Sequence, residues 1–191
     1  PSNQGTCAAV VYGNDSFMDL FEPGDIRGSA HMIRSYTSNT NVEVVGYGKN
    51  ESVMLKYPLD PNAAGAFANN NDYAHIRYAD VLMYRAEAIN ESSGPNQEAI
   101  DLLNQIRTRA GASVINLATY PSKASLKTFI MEERRREIFW EGKLREDAIR
   151  NEVWISTAQA KGRSAQDKHK LFPIPLAEMD ANKEMVQNPG Y

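Results

Sequence analysis

Two glutamates in one charged run are the residues of this sequence that come nearest to a catalytic pair. Glu133 and Glu137 lie within residues 132–137 (EERRRE), at a spacing that places both on one face of a helix. Glycosidases use two carboxyl groups about 5–10 Å apart, one of which has a raised pKa. Arginines surround both glutamates here and should lower the pKa of each, which is the wrong direction for a general acid. We therefore expect a structural charge ladder and predict that the protein is not an enzyme.

The other reactive side chains form no recognised catalytic or metal-binding pattern. His31, His75 and His169 are separated by 44 and 94 residues, without the spacing of a metal-binding motif. Cys7 is the only cysteine and has no basic neighbour, so it allows neither an intrachain disulfide nor a cysteine-based zinc site. Gly46–Lys49 (GYGK) lacks the upstream glycine and the following Ser or Thr of a phosphate-binding loop. We expect no cofactor and no bound metal.

Aromatic side chains are the remaining candidates for ligand contact. Tyr12, Tyr36 and Tyr57 lie in the loop-rich first part of the chain, and loops carry a large share of binding residues. Sugar rings have flat apolar faces, and aromatic rings in a concave site with a few polar groups can bind them. These three tyrosines are our candidate ligand-binding residues. Packing of each ring against the fold is the alternative.

Composition limits what the whole chain can be. Its 191 residues, 42% hydrophobic and 24% charged, suffice for one domain with a core or for two small ones. A net charge of −3 does not indicate a nucleic-acid-binding protein, so we predict no nucleic-acid partner. No apolar run is long enough to span a bilayer.

The first 71 residues predict loops with short strands. Glycine- and proline-rich turns separate two β-branched runs, Val42–Val45 and Val53–Tyr57, which we interpret as strands. Asn69–Asn71 is polar and turn-prone, and we place a boundary there. The domain prediction is thus a loop-rich segment over residues 1–71, followed by a helical region over residues 72–191.

Apolar residues after Asp72 repeat at helical spacing. Ile76, Ala79, Met83 and Ala86 predict one face of a helix over residues 73–91. A second helix is predicted from Pro95, at its first position, to Gly111, and the two form an αα-hairpin like one tetratricopeptide unit. Further predicted segments are helices over residues 122–141 and 144–153, an extended segment over 171–175, and a short helix over 176–181.

Several motifs, in this order along the chain, resemble the signatures of one protein family. They are Ile76–Ala88 (IRYADVLMYRAEA), Leu103–Gly111 (LNQIRTRAG), Glu133–Gly142 (ERRREIFWEG), Leu171–Pro175 (LFPIP) and Gln187–Tyr191 (QNPGY). Weaker signals are Asp25–Arg27 (D-x-R) and Lys56-Tyr57. Together they resemble the SusD/RagB family of Bacteroidetes nutrient-binding proteins, over residues 22–191. Members of this family are longer, so we expect this chain to be the C-terminal part of a longer protein.

The resemblance implies a fold and a function. It implies a mainly helical fold of tetratricopeptide-like hairpins with an irregular, loop-rich segment carrying short strands, all within one larger SusD-like domain. It also implies non-catalytic binding of glycans, or of peptides in some members, at the outer-membrane surface. The implied partner is a SusC-like TonB-dependent transporter. The implied link to the membrane is a lipid anchor on a cysteine, expected in the full-length protein. The residues before Cys7 do not form the motif that precedes a lipid-modified cysteine. The alternative function is a helical scaffold or lid for the transporter with little ligand affinity of its own.

Overall fold

The computed structural model describes residues 15–33, 35–37, 43–45, 53–54, 56–57, 60, 62 and 70–191. The chain divides into two compact units, Pro1–Trp140 and Glu141–Tyr191. The mainly helical architecture expected from the sequence is confirmed. The proposed division between residues 71 and 72 stays a prediction. No helix in these described ranges combines the length and apolarity needed to cross a bilayer.

Short elements precede the long helices of the first unit. They are α1 (Asp15–Met18), α2 (Ile26–His31), β1 (Met32–Ile33), β2 (Ser35–Thr37), β3 (Glu43–Val45) and β4 (Val53–Met54). β1 pairs with β4 and β2 with β3, both antiparallel, with Tyr36 opposite Val44. The second predicted strand is too long, because Lys56 and Tyr57 form a bend. The sequence did not predict α2, whose N-cap is Asp25: its carboxylate accepts the Arg27 N–H at 3.0 Å.

The predicted αα-hairpin is confirmed with shifted ends. Its helices are α3 (Tyr78–Ser93) and α4 (Gln97–Arg109). Asn96 caps α4 by accepting the Ala99 N–H at 3.0 Å, so Pro95 lies before the helix and not at its first position. α3 begins later than predicted because Arg77 adopts an extended backbone at the cap. Ile76 therefore lies outside the helix and is 72% exposed, contrary to its predicted place on the buried face.

The core of the first unit lies between α3, α4 and α5 (Lys123–Ile138). α5 begins at its N-cap Ser122, whose side chain accepts the Ser125 N–H at 3.1 Å. All three helices contribute fully buried apolar side chains: Met83, Ala86, Ala99, Ile100, Leu103, Leu126, Ile130 and Ile138. These residues recur at three- and four-residue spacing, so each helix buries one stripe against the other two.

Two glycines let the end of α4 meet the loop before α2. Gly111 has φ +71°, and a Cβ atom there would lie 2.6 Å from the Gly24 carbonyl oxygen. Next to this contact, the Ile26 N–H donates to the Ala110 carbonyl at 2.9 Å. The positive φ and the close approach both require glycine at position 111.

The second unit contains three short α-helices, α6 (Leu144–Arg150), α7 (Trp154–Ala160) and α8 (Leu176–Ala181), and one 3-10 helix, Asp167–Lys170. The predicted helix over residues 144–153 ends earlier than expected, and α7 was not predicted. α8 and the extended segment before it agree with the sequence prediction.

The last residues of the chain bind the extended segment through its backbone. The Gln187 amide both donates to and accepts from the backbone of Ile174, at 2.9 and 2.8 Å. Asn188 Nδ2 donates to the Phe172 carbonyl at 2.7 Å, and the Tyr191 hydroxyl donates to the Leu171 carbonyl at 3.1 Å. The LFPIP and QNPGY motifs are thus two halves of one hydrogen-bonded structure.

Candidate functional site

α5 places Glu133 and Glu137 one turn apart, and both side chains are buried. Glu133 contacts three guanidinium groups: Arg27 at 2.8 Å, Arg107 at 2.7 Å and Arg136 at 2.8 Å. The predicted ladder is therefore real, but two of these three partners come from α2 and α4. The sequence identified only the partner on the same helix.

Glu137 is surrounded in the same way. Its carboxylate contacts Arg27 at 3.1 Å, Arg77 at 3.0 Å and Arg109 at 2.5 Å. Arg27 is in turn fixed by Asp25, which accepts from its Nε and Nη2 at 2.9 and 2.7 Å. We call the whole set the arginine–glutamate cluster: Asp25, Arg27, Arg77, Arg107, Arg109, Glu133, Arg136 and Glu137.

The electrostatics of this cluster disfavour acid catalysis. Burial acts to raise the pKa of Glu133, but the guanidinium groups of Arg27, Arg136 and Arg107 outweigh it and hold the pKa below its usual value. Asp25 behaves alike: burial opposes ionisation, and Arg27 nevertheless lowers its pKa. A carboxyl group that stays ionised cannot donate the proton that glycoside cleavage needs. The ion pairs of the cluster hold the helices together inside the protein.

Lys56 covers the C-terminal end of α5. Its Nζ donates to the carbonyl oxygens of Glu137 and Phe139 at 2.5 and 3.0 Å and lies 4.4 Å from the centre of the Phe139 ring. Arg77 also donates to the Glu137 carbonyl, at 3.2 Å. The last carbonyls of a helix lack partners within the helix, so these cations stabilise its end. The side chain of Lys56 also links the next residue in the chain to the end of α5.

That residue, Tyr57, belongs to a group of rings at the surface. Tyr57 is half-buried and stacks on Tyr73, with ring centroids 6.3 Å apart and planes 30° apart. Tyr73 is 55% exposed, and its ring centroid lies 6.5 Å from that of His75. We call Tyr57, Tyr73 and His75 the aromatic ledge. An exposed ring supported from behind by another ring is a suitable surface for the flat face of a sugar.

The three predicted ligand-binding tyrosines have different outcomes. Tyr57 lies in the aromatic ledge. Tyr36 lies in β2, where only its backbone is described, and Tyr12 lies outside the described residues. The role of all three in binding stays a prediction. Sequence reasoning missed Tyr73 and His75, whose only signal is two rings in the polar stretch before α3.

The histidines are not gathered into a metal site. The described part of the chain contains no group of three or more His, Cys, Asp or Glu side chains that could hold a metal ion. His75 lies in the aromatic ledge, while His169 Nδ1 accepts the Gln166 N–H at 2.8 Å.

Comparison with known proteins identifies the family. The model of the SusD family matches residues 31–191. The chain belongs to the SusD family. SusD-like protein P38 of Formosa agariphila is 33% identical over 122 residues, which are 61% of this chain and 24% of that protein.

Solved structures of SusD-like proteins share the fold. Surface glycan-binding protein A from Bacteroides uniformis matches with a TM-score of 0.72 and 28% identity, over 92% of this chain and 40% of that one. A laminarin-binding SusD-like protein matches with a TM-score of 0.67 and 26% identity, over 93% of this chain and 37% of that one. The chain thus spans well under half the length of these relatives.

Proposed function

We propose that the protein binds glycans at the cell surface, without catalysis, for uptake through a SusC-like TonB-dependent transporter in the outer membrane. The observation that carries this proposal is the aromatic ledge, an exposed tyrosine ring backed by a second ring on a fixed base. Membership of the SusD family and the glycan-binding relatives support the same conclusion.

The base of the ledge favours binding because side chains on either side of it contact the end of α5. Lys56 and Arg77 hold the backbone on either side of the ledge against the end of α5. A ligand that stacks on Tyr73 therefore has little protein conformational entropy to offset, and preorganisation of this kind raises affinity.

The absence of turnover is part of the proposal. Glu133 and Glu137 are the carboxylates with catalytic spacing, and every contact described for their carboxylate groups is with an arginine. Their task is to join α5 to its neighbours. Hydrolysis of a bound polysaccharide that stops in Glu133→Gln would contradict this assignment.

Exposed apolar side chains near the start of α3 favour a second candidate function. Ile76, Tyr78 and Val81 are 72%, 73% and 50% exposed. Apolar side chains exposed together on one short stretch of chain are typical of protein–protein contact. These residues support the scaffold or lid alternative, in which the transporter is the main partner and the protein has little ligand affinity of its own.

A glycan and peptide array on the whole protein tests the proposal. We expect oligosaccharide binding that Tyr73→Ala weakens at least about fivefold, since loss of an aromatic contact costs about 1 kcal/mol. Tyr78→Ala is the matched control, because it removes a still more exposed tyrosine outside the ledge. Unchanged affinity in Tyr73→Ala, or binding of peptides alone, would contradict the proposal.

The transporter arm is tested separately. We expect a complex with a TonB-dependent transporter to be isolated from detergent-solubilised outer membranes and identified by mass. Glycan binding without such a complex would remove the uptake part of the proposal. A complex without glycan binding would favour the scaffold alternative.

A further inference from the structure

Trp140 has a backbone conformation that its side chain does not favour. It follows the last residues of α5 with φ +66°, in the left-handed region where glycine is usual after a helix. Residues other than glycine adopt this conformation at a cost in free energy, and bulky residues rarely do so. The ring is nevertheless 43% exposed. A strained backbone carrying an exposed tryptophan indicates a task for the ring at the surface.

The contacts of Lys56 place Trp140 close to the aromatic ledge. Trp140 directly follows Phe139, whose carbonyl and ring contact Lys56 Nζ. Tyr57 directly follows Lys56 and stacks on Tyr73. One lysine side chain therefore links the two backbones, and standard chain dimensions put the Cα atoms of Tyr57 and Trp140 within about 16 Å. A short oligosaccharide can span that distance.

The charges around the ledge favour an uncharged ligand. Among the described residues, Lys56 and Arg77 flank the ledge in the chain, and they contact carbonyl oxygens at the end of α5 and the Glu137 carboxylate. An acidic sugar would have to compete with these contacts for its charge partner. A neutral pyranose needs only the apolar face of a ring and hydrogen bonds at its edge.

We propose that Trp140 is a third aromatic contact, which together with Tyr57 and Tyr73 binds an oligosaccharide of uncharged pyranose rings. This inference rests on the proposed glycan-binding function and adds to it a residue, a ligand class and a length. A ligand bound in this way contacts two separate aromatic surfaces, so a monosaccharide binds much more weakly than a hexasaccharide.

Tryptophan fluorescence gives a direct readout, because the chain has two tryptophans, Trp140 and Trp154. Trp154→Phe leaves Trp140 as the reporter, and the altered residue lies in the second unit. Laminarihexaose added to the 191-residue chain with this substitution should shift or quench the emission, with the midpoint that calorimetry gives for binding. Binding seen by calorimetry without any change in Trp140 emission would overturn the inference.

Two substitutions at position 140 separate binding from folding. Trp140→Gly should weaken laminarihexaose binding at least about fivefold while the melting temperature stays equal or rises, since glycine accepts positive φ. Trp140→Phe keeps a ring and should bind within about threefold of the parent. A parallel fall in melting temperature in Trp140→Gly would show a structural role and overturn the inference.

The outcomes also distinguish this inference from the proposed function. Loss of affinity in Tyr73→Ala with none in Trp140→Gly would remove Trp140 and leave glycan binding in place. Tighter binding of an oligogalacturonate than of laminarihexaose would overturn the uncharged ligand class. If laminarihexaose and every glycan of the array fail to bind, both the function and the inference are wrong.

Discussion

The arginine–glutamate cluster and the aromatic ledge meet at the end of α5 but are built in opposite ways. Glu133 is completely buried and contacts three arginines, whereas Tyr73 is 55% exposed and stacks on one ring. Buried charges need partners, and Arg27, Glu133 and Glu137 each contact at least three other members of the cluster. An exposed ring offers apolar surface to a ligand. The comparison teaches that one end of α5 carries two kinds of site: ion pairs that hold helices together, and rings that we propose contact the ligand.

The largest effect should come from removing one carboxylate of the cluster. Glu133→Ala leaves Arg27 and Arg107 buried beside each other without their shared partner, which should cost about 3–5 kcal/mol in the free energy of unfolding. Urea denaturation measures this. Glu132→Ala is the control, because Glu132 is exposed on the same helix and its removal should cost less than about 0.5 kcal/mol.

The same pair of variants tests the comparison itself. Glycan affinity of folded Glu133→Ala should stay near that of the parent, because the Glu133 carboxylate is buried and contacts the arginines of the cluster. A loss of affinity at unchanged stability would show that the cluster takes part in binding and would break the distinction between base and ledge.

A smaller effect is expected from the backbone contact that positions the end of α4. Gly111→Ala puts a Cβ atom 2.6 Å from the Gly24 carbonyl oxygen at a residue with φ +71°. Backbone strain and displacement of the loop together should lower the free energy of unfolding by about 2–3 kcal/mol. Arg107 and Arg109 lie just before this glycine, so the cluster should loosen as well.

Gly94→Ala provides the matched control. Gly94 has a similar φ of +76°, but a Cβ atom there meets nothing within 4 Å. Gly94→Ala should lower the free energy of unfolding by only about 1 kcal/mol, because it adds backbone strain but no steric contact. Equal melting temperatures for the two variants would show that the Gly111 contact with Gly24 contributes nothing.

Acid should weaken the arginine–glutamate cluster. Arg27, Arg136 and Arg107 overcome the effect of burial and lower the pKa of Glu133, so below its unfolded value of 4.5 the unfolded chain binds a proton that the folded protein does not. The stability from this group is therefore complete above pH 4.5 and is lost as pH falls through the folded pKa. Asp25 adds to the effect in the same direction.

Melting temperatures between pH 7 and pH 3 measure this. The curve for Glu133→Gln should start lower and fall less steeply below pH 5 than that of the parent. Parallel curves for the two proteins would mean that Glu133 is not the group that titrates.

Sequence patterns predicted helices better than they predicted contacts. The three- and four-residue spacing of Met83, Ala86 and Leu103 was enough for the hairpin, because burial of one stripe is a local property of a helix. The partners of Glu133 were not predictable, since Arg27 is 106 residues away and only the tertiary fold brings it near. α7 was missed for a related reason: it has no buried residue and thus no apolar stripe.

The candidate site was predicted even less completely. Tyr57 was selected because it is an aromatic residue in a loop-rich segment. The same reasoning selected Tyr12, which lies outside the described residues, and Tyr36, of which only the backbone is described. Tyr73 stacks on Tyr57 from 16 residues away. Helical spacing and strand alternation relate residues within one element, but no such pattern relates two loop residues. Only the structure could pair these rings.

The smallest effect concerns the stability that the ledge itself provides. The Tyr57–Tyr73 stack should be worth about 0.5–1.5 kcal/mol, measured as the coupling energy between Tyr57→Ala and Tyr73→Ala in a double-mutant cycle of unfolding free energies. Tyr73→Ala alone should cost less than any cluster variant because over half of the side chain already contacts water. Glycan affinity should show the reverse order, with Tyr73→Ala weakening binding most. A coupling energy near zero together with lost affinity would mean that each ring contacts the ligand independently, and the ledge would then be two binding residues and not one preformed surface.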